Sequence, residues 1–181
     1  MVAATGVRIS EALGLKWEDI DYQSKQINLR RVWVAKTIVE RLKTDDSEAP
    51  VPLTDLLAII LQDWQKETVY GRPSDWVFAS TRCKGKKPRS ASVLAFDHLR
   101  PAALAAGVKI KPGQRFGFHN FRHGLASWLV NKGTDVKTVQ SLLRHSNVKT
   151  TLGLYTHRVN ESMLMAQDSV MRAMTASQTI Q

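Results

Sequence analysis

The stretch FHNFRHGLASWLVNKGTDVKTVQSLLRHSNVKTTLGLYTH, residues 118–157, decides the fold. Its apolar positions recur at helical spacing, which predicts three short helices over Phe118–Asn131, Val136–Leu143 and Val148–Tyr155. Polar groups break that apolar pattern in two places. His119, Arg122 and His123 sit among Phe118, Phe121, Leu125 and Trp128, and Arg144 and His145 follow Leu142-Leu143. Taken singly, each histidine reads as a satisfied structural residue, and Tyr155 as a core aromatic with its hydroxyl at the rim.

Working outward, Gly107–Gly117 is a loop, preceded by a helix that Ser90 or Ser92 opens and that reaches about Ala106. Trp76–Ala79 is a short extended piece. Thr54 is placed to cap a helix running through Leu57, Ile60, Leu61 and Trp64. Gln26–Val34, Thr37–Leu42 and Ala49–Leu53 read as strands, the last an edge because of Pro50 and Pro52. Lys43–Glu48 forms the polar turn between strands. Val2–Leu15 reads as one helix, ended by Trp17–Asp21. Beyond Tyr155, Glu161–Ala176 is expected to be a helix with Met163, Leu164, Val170, Met171 and Met174 on one side. The fold class expected is α+β, mostly α: a helical domain with a small three-stranded antiparallel sheet near the N-terminus.

Composition narrows the functional classes. The chain has 181 residues with 26 Lys+Arg against 16 Asp+Glu, a net charge of +10. That length supports one core and a single domain over 1–181. The longest apolar run, Leu56–Leu61, is far short of the ~20 residues of a spanning helix, so no membrane partner is expected. A single cysteine, Cys83, excludes a disulfide scaffold and points to a reducing, cytoplasmic setting. The excess charge is concentrated: residues 1–79 carry a net −2, residues 80–122 a net +9 and residues 123–181 a net +3. The block Arg82, Lys84, Lys86, Lys87 and Arg89 suits a polyanion such as double-stranded DNA, although a solvated basic loop has the same composition.

Four clusters carry the chemistry. They are Thr5-Gly6-Val7-Arg8-Ile9-Ser10-Glu11; Lys43-Thr44, followed by Val51-Pro52-Leu53; His119-Asn120-Phe121-Arg122; and Leu143-Arg144-His145-Ser146 with Thr150 to His157 behind it. In this order and spacing they resemble the catalytic domain of the tyrosine recombinases, the phage-type integrases. The resemblance spans Thr5 to His157. It implies that Tyr155 attacks a DNA phosphodiester to give a 3′-phosphotyrosine and a free 5′-hydroxyl, with strand exchange and religation to follow.

The chemistry explains the residue types. Two planar guanidiniums, Arg8 and Arg122, can grip the non-bridging phosphate oxygens bidentately. His119 and His145 add hydrogen bonds to the same oxygens, stabilising developing charge without a metal. Lys43 is the general acid for the leaving 5′-oxygen by family analogy, with Lys36 the nearby competitor. His119 is the acceptor of the phenol proton, and Glu11 orients Arg8 or His119. No cofactor, metal or ATP is expected, because the covalent link conserves the phosphodiester energy.

The departures from the family pattern are as specific as the matches. Arg144 stands where the family usually has Gly, and either adds a phosphate contact or displaces His145. Ser47-Glu48-Ala49 lacks the arginine that often follows the serine. The chain opens inside a helix, just before the first cluster, and is expected to lack the family's N-terminal DNA-binding domain. The full-length protein is expected to assemble as a tetramer on DNA in a prokaryotic or phage-encoded nucleoid setting. Residues 160–181 dock either in trans or on their own domain. A zinc hydrolase is a poor fit: His119 and His123 have the i, i+4 spacing, but Asn120 replaces the glutamate base. A non-cutting DNA-binding module and a type IB topoisomerase-like enzyme are the remaining alternatives.

Overall fold

The computed structural model describes residues 1–40, 50–145, 148–153, 155, 167–169 and 172. Two short helices, α1 (Val2–Thr5) and α2 (Ile9–Leu13), open the chain, and a 3-10 turn covers Trp17–Asp19. Five strands follow: β1 (Ile20–Asp21), β2 (Gln26–Ile27), β3 (Arg31–Val34), β4 (Thr37–Glu40) and β5 (Val51–Pro52). Helix α3 is Asp55–Glu67. Then α4 (Ala91–Val93), a π-helical stretch (Leu94–Leu99) and α5 (Arg100–Ala105) run on from one another. Three further helices follow, α6 (Phe118–Asn131), α7 (Val136–Leu143) and α8 (Val148–Leu152), and the described residues 167–169 and 172 are helical as well. The architecture is α+β and mostly helical, as the sequence implies.

The N-terminal helix is broken where the sequence predicts it continuous. Gly6 caps α1 in the left-handed conformation (φ 66°), and Arg8 is extended (φ −69°, ψ 146°) before α2 begins. A Cβ on Gly6 would lie 2.7 Å from Leu143 Cδ2, so a second helix passes where a side chain would otherwise stand. Arg8 and Glu11 are therefore not on one helical face. Arg8 is the residue before α2, and its backbone N–H donates to Glu11 Oε2 at 2.8 Å.

The sheet also differs from expectation. Its three antiparallel strands are β1, β2 and β5 in the order β1-β2-β5, with Ile20 opposite Ile27 and Ile27 opposite Val51. Ile20–Asp21, which the sequence marks as the end of a helix, is thus a strand. The predicted strand Gln26–Val34 is two strands, β2 and β3; the Asn28 N–H still donates to the Asp19 carbonyl at 2.8 Å, in register with the β1–β2 pair, before the chain leaves that sheet. Its second half forms a separate hairpin, β3 with β4. That hairpin lies on α2 through a backbone approach that leaves no room for a Cβ at Gly14, which would sit 2.4 Å from the Arg31 carbonyl oxygen. Pro52 is on the edge strand, as expected. The positions Arg41 to Ala49, and most of the expected helix Glu161–Ala176, lie outside the described residues.

Two apolar cores meet along α6. The larger gathers Val7, Ala12, Leu15, Trp17, Ile27, Leu57, Leu61 and Val77, with Phe118 and Phe121 packed against it. The smaller holds Ala126, Val139 and Leu143, with Leu125, Leu129, Leu142 and Tyr155 around it. On α3 the buried line is Leu57 and Leu61, with Trp64 packed beside them, while Ile60 is exposed. Trp64 Nε1 donates to the Val77 carbonyl at 2.8 Å, which seats the extended piece Trp76–Ala79 on that core.

Asp19, fully buried, ties the sheet to the hairpin by accepting from Arg31 Nη1 at 2.7 Å and from the Lys16 N–H at 2.8 Å. Burial pushes its carboxyl above the ordinary value, against the pull of the Lys16 N–H and the arginines.

The Gly14–Arg31 approach gives a direct test. Gly14→Ala must push two backbones apart and is expected to cost about 1–3 kcal/mol, read as a lower denaturation midpoint at unchanged m. A neutral substitution would show that β3 does not rest on α2.

Candidate active site

Arg122 lies on α6 at the seam between the two cores. Its residue is 5% exposed. Nη1 donates to the Gly6 carbonyl and Nη2 to the Leu143 carbonyl, so one guanidinium joins the first cluster to the fourth. Both carbonyls are available because each belongs to a chain reversal, one at the end of α1 and one at the end of α7. A guanidinium has five N–H donors and these bonds use two. Burial first, and then the Arg8 cation, pull the Arg122 pKa down to about 10, which leaves it charged at neutral pH.

Arg8, His119 and Arg122 line one cavity of about 260 Å³ together with Val7, Ile9, Ser10 and Phe118. Arg8 keeps a side-chain exposure of 47%, while its Nη1 donates to Glu11 Oε1 at 3.2 Å. Glu11, fully buried, also accepts from Arg144 Nη2. Glu11 therefore holds Arg8, one of the two partners expected for it. His119 is exposed on the first turn of α6, its ring 5.8 Å from that of His123 in an edge contact. Asn120 serves the helix start, accepting from the Gly117 N–H at 2.9 Å.

His145 follows the end of α7 and shares a hydrogen bond between its Nδ1 and Thr151 Oγ1 at 2.9 Å. Burial lowers its pKa below the ordinary value, and the Arg122 and Arg8 cations lower it further, ahead of His123 and His119. These four groups are thus within electrostatic reach of His145. Thr151 is fully buried, a partner of His145 that the sequence does not single out. The doubled threonine before Leu152 is the available signal, but nothing in the spacing says which one faces a histidine.

Among the described residues, the remaining predicted ones do not line this cavity. Tyr155 packs on the smaller core and its hydroxyl donates to the Thr134 carbonyl. Arg144 turns inward, its side chain 8% exposed, onto Glu11. In the basic block, Arg82, Lys84, Lys86 and Lys87 are exposed, whereas Arg89 Nε donates to the Ala79 carbonyl at 3.3 Å. The block forms an excursion closed by a bridge between Ala79 and Pro88. Lys36 sits in the two-residue turn of the β3–β4 hairpin with φ 65°. Lys43 lies outside the described residues.

Within this mostly helical domain, two arginines and a histidine from two distant segments line one cavity, a lining that suits an anion such as a phosphate. The model of the Phage integrase family matches residues 1–162, and the chain belongs to that family. It is 33% identical to the tyrosine recombinase XerD of Pseudomonas aeruginosa, over 85% of this chain and 46% of that protein. It is 28% identical to a XerC-like tyrosine recombinase of Caldanaerobacter subterraneus, over 92% of this chain and 46% of the relative. The chain thus spans about half the length of these curated relatives. In fold it is similar to the Tn1549 transposon integrase solved in complex with circular intermediate DNA. The TM-score is 0.76 at 24% identity, covering 93% of this chain and 57% of that one.

His145 makes stability depend on pH. The unfolded chain takes the imidazole proton more readily than the folded one. The stability tied to neutral His145 is therefore full above the ordinary value near ~6.5 and is lost as pH falls below it. His145→Asn is expected to reduce the drop in melting temperature between about pH 7.5 and 5. An equal drop in both proteins would place His145 in open solvent.

Proposed function

We propose that this chain is the strand-cutting and rejoining domain of a site-specific DNA recombinase. The observation that carries this reading is the cavity shared by Arg8, His119 and Arg122, with His145 in electrostatic reach. A phosphodiester seated there meets two positioned guanidiniums, Arg122 buried between backbone carbonyls and Arg8 half-exposed and held by Glu11. Such preorganised donors favour the pentacoordinate transition state over the ground state.

In this reading the Tyr155 Oη leaves the Thr134 carbonyl, gives its proton to His119 and attacks phosphorus. The bond to the 5′-oxygen breaks, Lys43 protonates that oxygen, and the DNA 3′ end remains esterified to Tyr155. Religation reverses each transfer. Arg8 and Arg122 carry the equatorial oxygens, and neutral His145, held by Thr151, donates from its other ring nitrogen. The exposed cations Arg82, Lys84, Lys86 and Lys87 track the duplex backbone, as suits a relative's fold that is found on DNA. Assembly of the full-length protein as a tetramer on its DNA site, in the nucleoid, belongs to the same reading.

Two measurements test it. A nicked suicide duplex incubated with the chain in EDTA should yield a covalent adduct. Tyr155→Phe should abolish it while DNA retention persists, and Arg8→Lys or Arg122→Lys should slow it by about 10²–10³-fold. An adduct surviving Tyr155→Phe would move the nucleophile elsewhere. Independently, reversing Lys84, Lys86 and Lys87 should weaken binding to unrelated duplexes alike. It should also flatten the dependence of log K on log salt by up to ~0.9 for each phosphate no longer neutralised. An unchanged slope would return that excursion to solvent.

A further inference from the structure

Arg144 occupies a position that its own backbone disfavours. It ends α7 in the left-handed conformation (φ 50°, ψ 52°), where glycine is free of the Cβ conflict. A strained arginine at a helix end ordinarily sends its long side chain to water. Here the guanidinium is instead 8% exposed and donates from Nη2 to Oε2 of Glu11, 133 residues away in sequence. That same oxygen accepts the Arg8 N–H at 2.8 Å, and Oε1 accepts Arg8 Nη1 at 3.2 Å. One buried carboxylate therefore holds two arginines: Arg8, which faces the cavity, and Arg144, whose next residue is His145.

We propose that Arg144 is a positioning residue that staples the His145 turn to the Arg8 segment through Glu11, and does not act as a DNA contact. The inference rests on the recombinase reading above. Arg122 already joins the same two segments through the Gly6 and Leu143 carbonyls, but both of those bonds end on backbone upstream of the catalytic side chains. The Arg144–Glu11 pair closes the second side of the joint. It sets the distance between the Arg8 guanidinium and the His145 ring, the two groups that must reach one phosphate from opposite segments.

The test uses Arg144→Gly in the full chain. This variant relaxes the left-handed backbone while removing the staple, and its melting temperature is measured beside the wild type's so that lost folding and lost positioning are told apart. Single-turnover cleavage of the suicide duplex is expected to fall by about 10²-fold, the scale of an ångström misplacement, with DNA affinity and its salt slope unchanged. Arg144→Lys should recover part of the rate. Glu11→Gln should lose a similar factor, and the double variant Arg144→Gly, Glu11→Gln should lose little more than either alone. The His145 imidazole, followed by its ring proton resonance, should titrate closer to its ordinary value once the turn is released.

Wild-type cleavage in Arg144→Gly, or a weakened affinity with a shallower salt slope, would overturn the staple. Full additivity with Glu11→Gln would do the same. Failure of the unmodified chain to form any adduct would instead count against the recombinase reading, and the His145 titration would still report on the staple.

Discussion

Everything at the site depends on a buried arginine meeting two backbone carbonyls. Arg122 stands where the two apolar cores abut, and its terminal nitrogens reach Gly6 and Leu143. A charged group so deeply placed is costly unless its donors are satisfied. Both carbonyls come from ends of helices, where oxygens have no intrahelical partner. The demand of the cation and the demand of the helix ends are met by the same two bonds. A helix continuous from Val2 to Leu15 would remove one of the acceptors.

The constraint propagates outward through the backbone. Because α1 ends at Gly6, Arg8 falls before α2, and Glu11 at the first turn of α2 can accept both its N–H and its guanidinium. Because α7 ends at Leu143, His145 emerges beside Arg122 and is held by Thr151. The burial and positive neighbours that lower the His145 pKa follow from this placement. Tyr155 is different in kind. Its ring belongs to the smaller core and its hydroxyl to the Thr134 carbonyl, and it does not line the cavity of Arg8, His119 and Arg122. In the proposed reading, its delivery to a phosphate therefore requires a rearrangement.

Much of this is legible in the sequence, and unevenly so. Helices α6 and α7 have the bounds that apolar spacing predicts, because each buries one stripe against a core. The spacing of His119 and Arg122 on α6 puts both on the cavity side for the same reason. The break at Gly6 is not legible, since Val2–Leu15 carries a sound helical pattern and the groups that meet Gly6, Leu143 and Arg122, are far along the chain. The two sheets read as one because Asn28–Arg30 look like strand residues, while the second half of the run lies on α2 through the approach of Arg31 to Gly14, a contact far apart in sequence. From the sequence, Arg144 reads either as a phosphate contact or as a residue that displaces His145. Its partner, Glu11, lies in another cluster, and charge counting has no means to pair them.

The most direct measurement of the central claim is the motion of the Arg122 side chain, followed by nitrogen-edited NMR of the guanidinium groups in the whole chain. With both terminal nitrogens held by carbonyls, rotation about its C–N bonds should be slow. Separate, exchange-protected N–H signals should be seen, some of which shift when a phosphodiester is added. Fast rotation with a single averaged signal, unaffected by phosphodiester, would contradict the account, because the guanidinium would then be neither anchored between the two segments nor aimed at an anion.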